Sequence, residues 1–270
     1  MNGIGNLGGS AQSGGGAMSK LQATMEQVSS GKKLNSASDN AAGIAVAVSM
    51  VSDLGGLRQA NRNVGDAMAM LDTAEGGMGQ ISDSLIRMRE LSVQAGNSTL
   101  SASQRGMIQA EMDNIAESID RVSATTEFNG TSLLDGSTPT LNFQVGANAS
   151  AADQMTVALE DTSTAALGVD ALSVASAASA GVGIDAIDGA MDQLNTFRAR
   201  VGAATNQLSE MGDNLRNSIV AASESVSQVR DTDFGEASAA MAGQSVLMQA
   251  QIAMQVQGNM NQQSVLKLLG

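Results

Sequence analysis

Arg87, Arg89 and Glu90 crowd into four positions, Leu91 and Gln94 follow at once, and Glu111 stands on the next periodic segment. These charges can form ion pairs and hydrogen bonds with one another or with another protein. They include no His or Cys, the side chains that most often titrate or react near neutrality. On an arbitrary helix, such a mixed face is solvated surface. The chain has no His and no Cys, which removes the commonest general base, the thiolate nucleophile and the usual zinc ligands. It also has no Trp and no Tyr, so an enzyme of this length would have to work with Asp, Glu or Lys alone. We expect no catalytic, cofactor-binding or metal site. The segment "GGGAMSK" is not a phosphate loop, because Ser19 takes the place of the glycine required before the lysine.

The net charge of −13 argues against a nucleic-acid partner, which demands a basic face. No continuous apolar run approaches the ~18 residues of a membrane span; Ala41–Val51 is the nearest. We expect no membrane partner, and the N-terminus lacks the pattern of a cleavable secretory signal. Charge is unevenly spread. Before Lys32 the only charged side chains are Lys20 and Glu26, and from Ala237 onward the only one is Lys267. Ends so poor in charge and rich in Met, Gln, Ala and Leu are surfaces meant for a partner. The stripe Val246, Met248, Ile252, Val256, Met260, continued by Leu266 and Leu269, is the candidate docking face. The seventeen methionines fall at helical spacing and are read as adaptable packing rather than copper ligands.

The elements that carry these residues are long helices. Apolar residues recur at steps of three and four through Met18–Val28, Val64–Met88, Ile108–Val122 and Ile184–Val229. The last run covers 46 residues, or ~70 Å of helix, and must pack along other long helices as a rod. Ser101 with Gln104 is a capping-box pattern that opens the third helix, after Gly96-Asn97 closes the second. Ser36 with Asp39 offers a second start of the same kind. Between Glu127 and Val182 the pattern changes to turns at Asn129-Gly130 and Asp135-Gly136. Two alternating segments there place Leu141, Phe143, Val145 and Met155, Val157, Leu159 on one side, as short strands. The fold expected is mainly α: long antiparallel helices packed as a coiled-coil rod, a small β element, and paired N- and C-terminal helices. Residues 1–16, rich in glycine, are expected to be disordered in the free chain and ordered only on assembly.

At this point the chain resembles a known family, the bacterial flagellins. The likeness is carried by "SSGKKLNSASDNAAGIAVA", "LIRMRELSVQAGNST", "IQAEMDNIAESIDRVSATTEFNGTSLLDG", "FQVGANA", "LGVDALSV" and the closing "SVLMQAQIAMQVQGNMNQQSVLKLLG", all in order. The resemblance implies a subunit that self-polymerises into the extracellular flagellar filament used for swimming. About 55 residues separate the third helix from the fourth, which makes this a minimal form without a large outer domain.

The resemblance further implies three regions: 1–35 with 236–270 as a terminal inner-tube domain, 36–126 with 183–235 as a core rod, and 127–182 as a β element and link. Ser29–Gly43 then marks the join between inner tube and rod. Arg87, Arg89, Glu90, Leu91, Gln94 and Glu111 become subunit contacts, with Arg87, Leu91 and Glu111 also recognised by the innate-immune flagellin receptor. The terminal stripe becomes an assembly face and a docking site for an export chaperone. Other implied partners are the type III export apparatus, through which flagellins leave without a cleaved signal, and the hook-associated and cap proteins. Asn97, Asn129 and Asn148 fit the N-glycosylation pattern but are expected to stay idle in a bacterial protein. A hook–filament junction protein is the nearest alternative; a soluble signalling coiled coil is a more distant one.

Overall fold

The computed structural model describes the backbone of residues 5–269, with side chains described for 16, 18–261, 263, 264 and 267. The chain divides into two compact units, residues 1–54 with 220–270, and residues 55–219. In chain order the elements are α1 (Gly5–Ser30), α2 (Ala37–Ala95), α3 (Ala102–Thr125), β1 (Glu127–Phe128) and β2 (Thr131–Ser132). Then come β3 (Thr140–Gln144), a short 3-10 turn (Ala151–Asp153), β4 (Gln154–Ala158), α4 (Thr164–Leu167), α5 (Ala177–Arg230) and α6 (Phe234–Leu269). The long helices and small β element agree with the mainly α fold expected.

In the unit of residues 55–219, α2 and α5 run antiparallel side by side. Arg89 meets Asp188, and Glu75 meets Arg198 farther along the same seam. The apolar stripes of α2, α3 and α5 close on one core, in which Leu71, Ile81, Leu85, Ile119, Ile187 and Leu208 are fully buried. Such stripes form because leucine, isoleucine and methionine spaced at three and four occupy a single helical face. The capping box at α3 is present in both halves: Ser101 Oγ accepts the Gln104 N–H at 3.3 Å, and Gln104 Oε1 accepts the Ser101 N–H at 2.8 Å.

The β element docks on this core. Asn129 and Gly130, both at positive φ, make the two-residue turn between β1 and β2. Strands β3 and β4 pair antiparallel with Leu141 opposite Val157 and Phe143 opposite Met155, as the alternation requires. Met155, Val157 and Leu159 are buried, while Leu141 and Phe143 pack half-buried against the core. Gly77 on α2 makes the close approach possible, since a Cβ there would lie 2.7 Å from both Leu134 Cδ1 and Thr126 Oγ1.

Three polar side chains hold the connections of this unit by grasping backbone. The Arg105 guanidinium donates to the carbonyls of Ala95, Leu100 and Asn97, closing the α2–α3 turn. The Gln109 amide donates to Leu172 O and accepts the Val174 N–H, pinning the link before α5. Asp120 accepts the backbone N–H and the hydroxyl of Thr164. Each satisfies backbone groups that an irregular segment would otherwise leave unpaired.

The unit of residues 1–54 with 220–270 is built differently. Helices α1 and α6 pair antiparallel, with Thr24 Oγ1 3.3 Å from Gln244 Oε1. The breaks between α1 and α2 and between α5 and α6 are zipped together. Lys32 and Asp231 form an antiparallel bridge, Lys33 N–H donates to Arg230 O at 2.7 Å, and Thr232 N–H donates to Gly31 O at 3.0 Å.

Helix α2 does not begin on the expected capping box. Only half of it forms: the Asp39 carboxylate accepts the Ser36 and Asn35 N–H groups, while Ser36 Oγ turns to Ser38 Oγ. Asn40 (φ −164°, ψ 97°) interrupts the helix, and its Oδ1 caps the Gly43 N–H at 2.9 Å. Asn40 acts as the cap because its backbone is extended and its side-chain oxygen reaches the N–H three residues onward.

Two further expectations are corrected. Helix α1 runs from Gly5, so helix occupies part of the glycine-rich stretch that was expected to lack it. Residues 1–4 and the side chains of 5–15 lie outside the described residues. Helix α2 also contains an 18-residue window of mean hydropathy 1.3, long and apolar enough to cross a membrane by length and composition, with only 11% of it buried. Averaging over a window absorbs the small and polar residues that interrupt the continuous run at Gly43 and Ser49.

Candidate subunit-contact surfaces

Arg87, Glu90 and Glu111 meet on the α3 side of α2 in the 55–219 unit, and Arg89 lies on the α5 side. Arg87 on α2 donates through Nη1 to Glu90 at 3.0 Å and through Nη2 to Glu111 on α3 at 2.7 Å. One turn of helix brings Glu90 next to Arg87, and the antiparallel return of α3 brings Glu111 opposite. Arg89 points the other way and grips Asp188 on α5, at 2.6 Å and 3.3 Å. The hydrogen bonds that Arg87 donates to Glu111 and then to Glu90 raise its pKa above the ordinary value. The bond from Arg89 lowers the Asp188 carboxyl, and Asp188 in turn raises Arg89. These side chains pair with one another and remain about half exposed. Gln94 is exposed beside them, as are Ile86, Val93 and Met107. An open groove between α2 and α3 is lined by Asp83, Arg87, Glu111, Asn114 and Ser118.

Leu91 is placed differently from its five companions. It is 2% exposed and belongs to the core. Its spacing of three from Met88 continues the stripe Ile81, Leu85, Met88 inward, a signal that was present in the sequence. Leu91 thus lies beneath the surface rather than forming it.

The terminal face is the second candidate. Along α6, Met241, Gln244, Met248 and Gln251 are half-buried at steps of three and four, and the Thr24 contact identifies α1 as their cover. Val246, Leu247, Ile252, Met254, Val256 and Met260 are all more than half exposed. At ~100° per residue these six spread around the rest of the circumference instead of forming one stripe. Met248 thus lies toward α1, while Val246, Ile252, Val256 and Met260 face outward. The Leu266 and Leu269 side chains lie outside the described residues. Sequence reasoning missed Leu247 and Met254, because a search for one stripe discards residues between its steps. It also missed Val46, Val48 and Val51 of α2, which are 49%, 63% and 42% exposed.

Among the described residues, no group of three or more His, Cys, Asp or Glu could hold a metal ion. One unit thus carries exposed, paired charges, and the other a helix whose large apolar side chains are mostly exposed.

Comparison with known proteins gives these surfaces a context. Residues 11–138 match the family model described as the bacterial flagellin N-terminal helical region, and residues 184–269 match the bacterial flagellin C-terminal helical region. A flagellin of Bacillus subtilis is 35% identical over 93% of each chain. The flagellar filament 33 kDa core protein of Treponema phagedenis is 35% identical over 92% of each. Among solved structures, the crystal structure of Bacillus cereus flagellin aligns with a TM-score of 0.52 at 31% identity, covering 57% of this chain and 88% of that one.

Proposed function

The chain belongs to the bacterial flagellin family, and from that premise we propose how its two surfaces serve a filament. The protein is a structural subunit of the flagellar filament, polymerised with copies of itself; a junction-protein role is not favoured. The observation that carries the assembly role is α6. An exposed helix that is apolar around most of its circumference is stable only when covered from several sides, and one neighbour cannot do that. We assign the covering to several other copies of the chain. The exposed valines of α2 join the same contacts, which gives the apolar window a protein partner rather than a membrane.

In this reading, residues 1–35 with 236–270 form the inner tube, 36–126 with 183–235 the rod, and 127–182 the β element and link. The zipped breaks around Lys32 and Asp231 lie at the join. The exposed side chains of Arg87, Arg89, Glu90, Gln94 and Glu111 make contacts between neighbouring subunits, and no catalysis is assigned. The uncovered face of α6 docks an export chaperone before assembly. The type III apparatus carries the chain out without signal cleavage, and the hook-associated and cap proteins bind the same faces at the filament's ends. The surface around Arg87 and Glu111 is also the one we assign to the innate-immune receptor.

The test is deletion of Ser245–Gly270. The variant is expected to lose polymerisation, seen by sedimentation and electron microscopy, while residues 55–219 keep their helical melting transition. Normal filaments from the deletion variant would refute the assembly role. For these charges, Arg87→Ala and Glu111→Ala are expected to weaken receptor signalling by soluble monomer; unchanged signalling removes the receptor from the partners.

A further inference from the structure

Methionine is distributed in opposite ways over the two units. Within residues 55–219, Met70, Met78, Met88, Met112 and Met155 are buried. In the terminal unit, Met18, Met25, Met254 and Met260 are 56%, 53%, 75% and 59% exposed. The chain has no Cys, His, Trp or Tyr, the other side chains that scavenge oxidants quickly. An oxidant meeting the free subunit therefore finds thioethers as its main targets, and the reachable ones sit mostly on the two paired terminal helices.

We propose that Met18, Met25, Met254 and Met260 form a modification site for two-electron oxygen donors of the peroxide class, and that sulfoxide formation there stops the free subunit from joining the polymer. The blocking effect rests on the assembly reading above. In the step, a sulfur lone pair attacks one peroxide oxygen, the O–O bond breaks, the S–O bond forms, and water leaves with the remaining oxygen. Sulfur loses the two electrons that the peroxide gains. The product replaces a flexible apolar group with a strong hydrogen-bond acceptor. On an exposed helix water satisfies that acceptor at no cost, so the free chain tolerates the change. In an apolar contact between copies it has no donor, and burying it opposes assembly. The same burial keeps peroxide from subunits already assembled, so sensitivity is confined to the free chain.

The experiment uses purified chain carrying Met107→Leu, because Met107 is 66% exposed on the other unit and would add a second reactive site. The monomer is treated with graded hydrogen peroxide, sulfoxides are placed by peptide mass spectrometry, and polymerisation is then followed by sedimentation. The expected order of oxidation is the four terminal methionines first and the five buried ones last. The critical concentration is expected to rise on the order of tenfold for each sulfoxide taken into an apolar contact. A variant with Met18, Met25, Met254 and Met260 all changed to Leu is expected to polymerise equally before and after treatment. Met254→Gln with Met260→Gln, which supplies polarity without an oxidant, is expected to reproduce the rise. Three results would overturn the proposal: buried and exposed methionines oxidising together, oxidised parent polymerising at an unchanged critical concentration, or the leucine variant remaining just as inhibited. Should untreated chain fail to polymerise, the assembly reading and the block fall together, while the order of oxidation still decides the modification site.

Discussion

Leu85 on α2 and Leu247 on α6 are the same residue type in regular helix, yet Leu85 is 0% exposed and Leu247 60%. The contrast extends to the units around them. All the residues of the main buried cluster fall between Ala60 and Leu215, within the 55–219 unit. In the terminal unit the buried apolar residues are few, Ala47, Leu54, Val226 and Ala237 among them, and most exposed large apolar side chains of the chain are found there. One unit completes its burial within the chain; the other leaves large apolar side chains exposed. In the assembly proposed above, the first supplies stability and the second association.

The largest test of that contrast is truncation at its two poles. Leu85→Ala is expected to destabilise the monomer by about 2–5 kcal/mol in chemical denaturation, because it leaves a cavity in a closed core. Leu247→Ala is expected to stay within about 0.5 kcal/mol of the parent, yet to raise the critical concentration for polymerisation. Equal losses of monomer stability from the two changes would erase the distinction.

Gly77→Ala comes next, at about 1–3 kcal/mol, since the added methyl collides with Leu134 and Thr126 where the β element meets α2. A glycine of the terminal unit with open space around it, such as Gly243, is expected to gain slightly from the same change, as helix propensity dictates. Smaller still is Ser101→Ala, which removes one reciprocal cap and is expected to cost about 1 kcal/mol in melting experiments on the monomer.

The smallest effect concerns acid. The Arg89 bond lowers Asp188, and hydrogen bonds from Ser137 lower Asp135, both below the ordinary carboxylate value. A depressed folded value contributes stability that is present above the unfolded pKa of about 4 and lost as pH falls through the folded one. Asp188→Asn is therefore expected to lose slightly less melting temperature than the parent between about pH 5 and pH 2, because it has already given up that contribution. Both carboxylates belong to the 55–219 unit, so the contribution lost in acid is lost from that unit. Circular dichroism of parent and Asp188→Asn monomer across that pH range measures the difference.

Much of this was legible in the sequence because it depends on neighbours a few residues apart. The reciprocal cap of Ser101 and Gln104, the Asn129-Gly130 turn, the alternation of β3 and β4 and the long stripe of α5 are local patterns, and each appears where its spacing put it. The resemblance to flagellins was legible for a related reason, since ordered segments survive as sequence. Ser36 misled because Asn40, four residues on, competes for the same task, and local pattern does not rank two capping residues. Arg105, Gln109 and Asp120 were not legible as connectors. Each bonds to backbone far along the chain or across a turn, and nothing in an arginine's neighbours says which carbonyls will come within its reach.

By itself, then, the sequence determined the long helices of the 55–219 unit, the turns between them, the absence of His and Cys, and the charge-poor ends. These follow from periodicity, capping and composition, which do not depend on what packs where. Only the tertiary structure decided which apolar faces find a cover within the chain. It set α1 over one face of α6 and left Val246, Ile252, Met254 and Val256 uncovered. Burial depends on what lies opposite a side chain, and no side chain encodes its opposite.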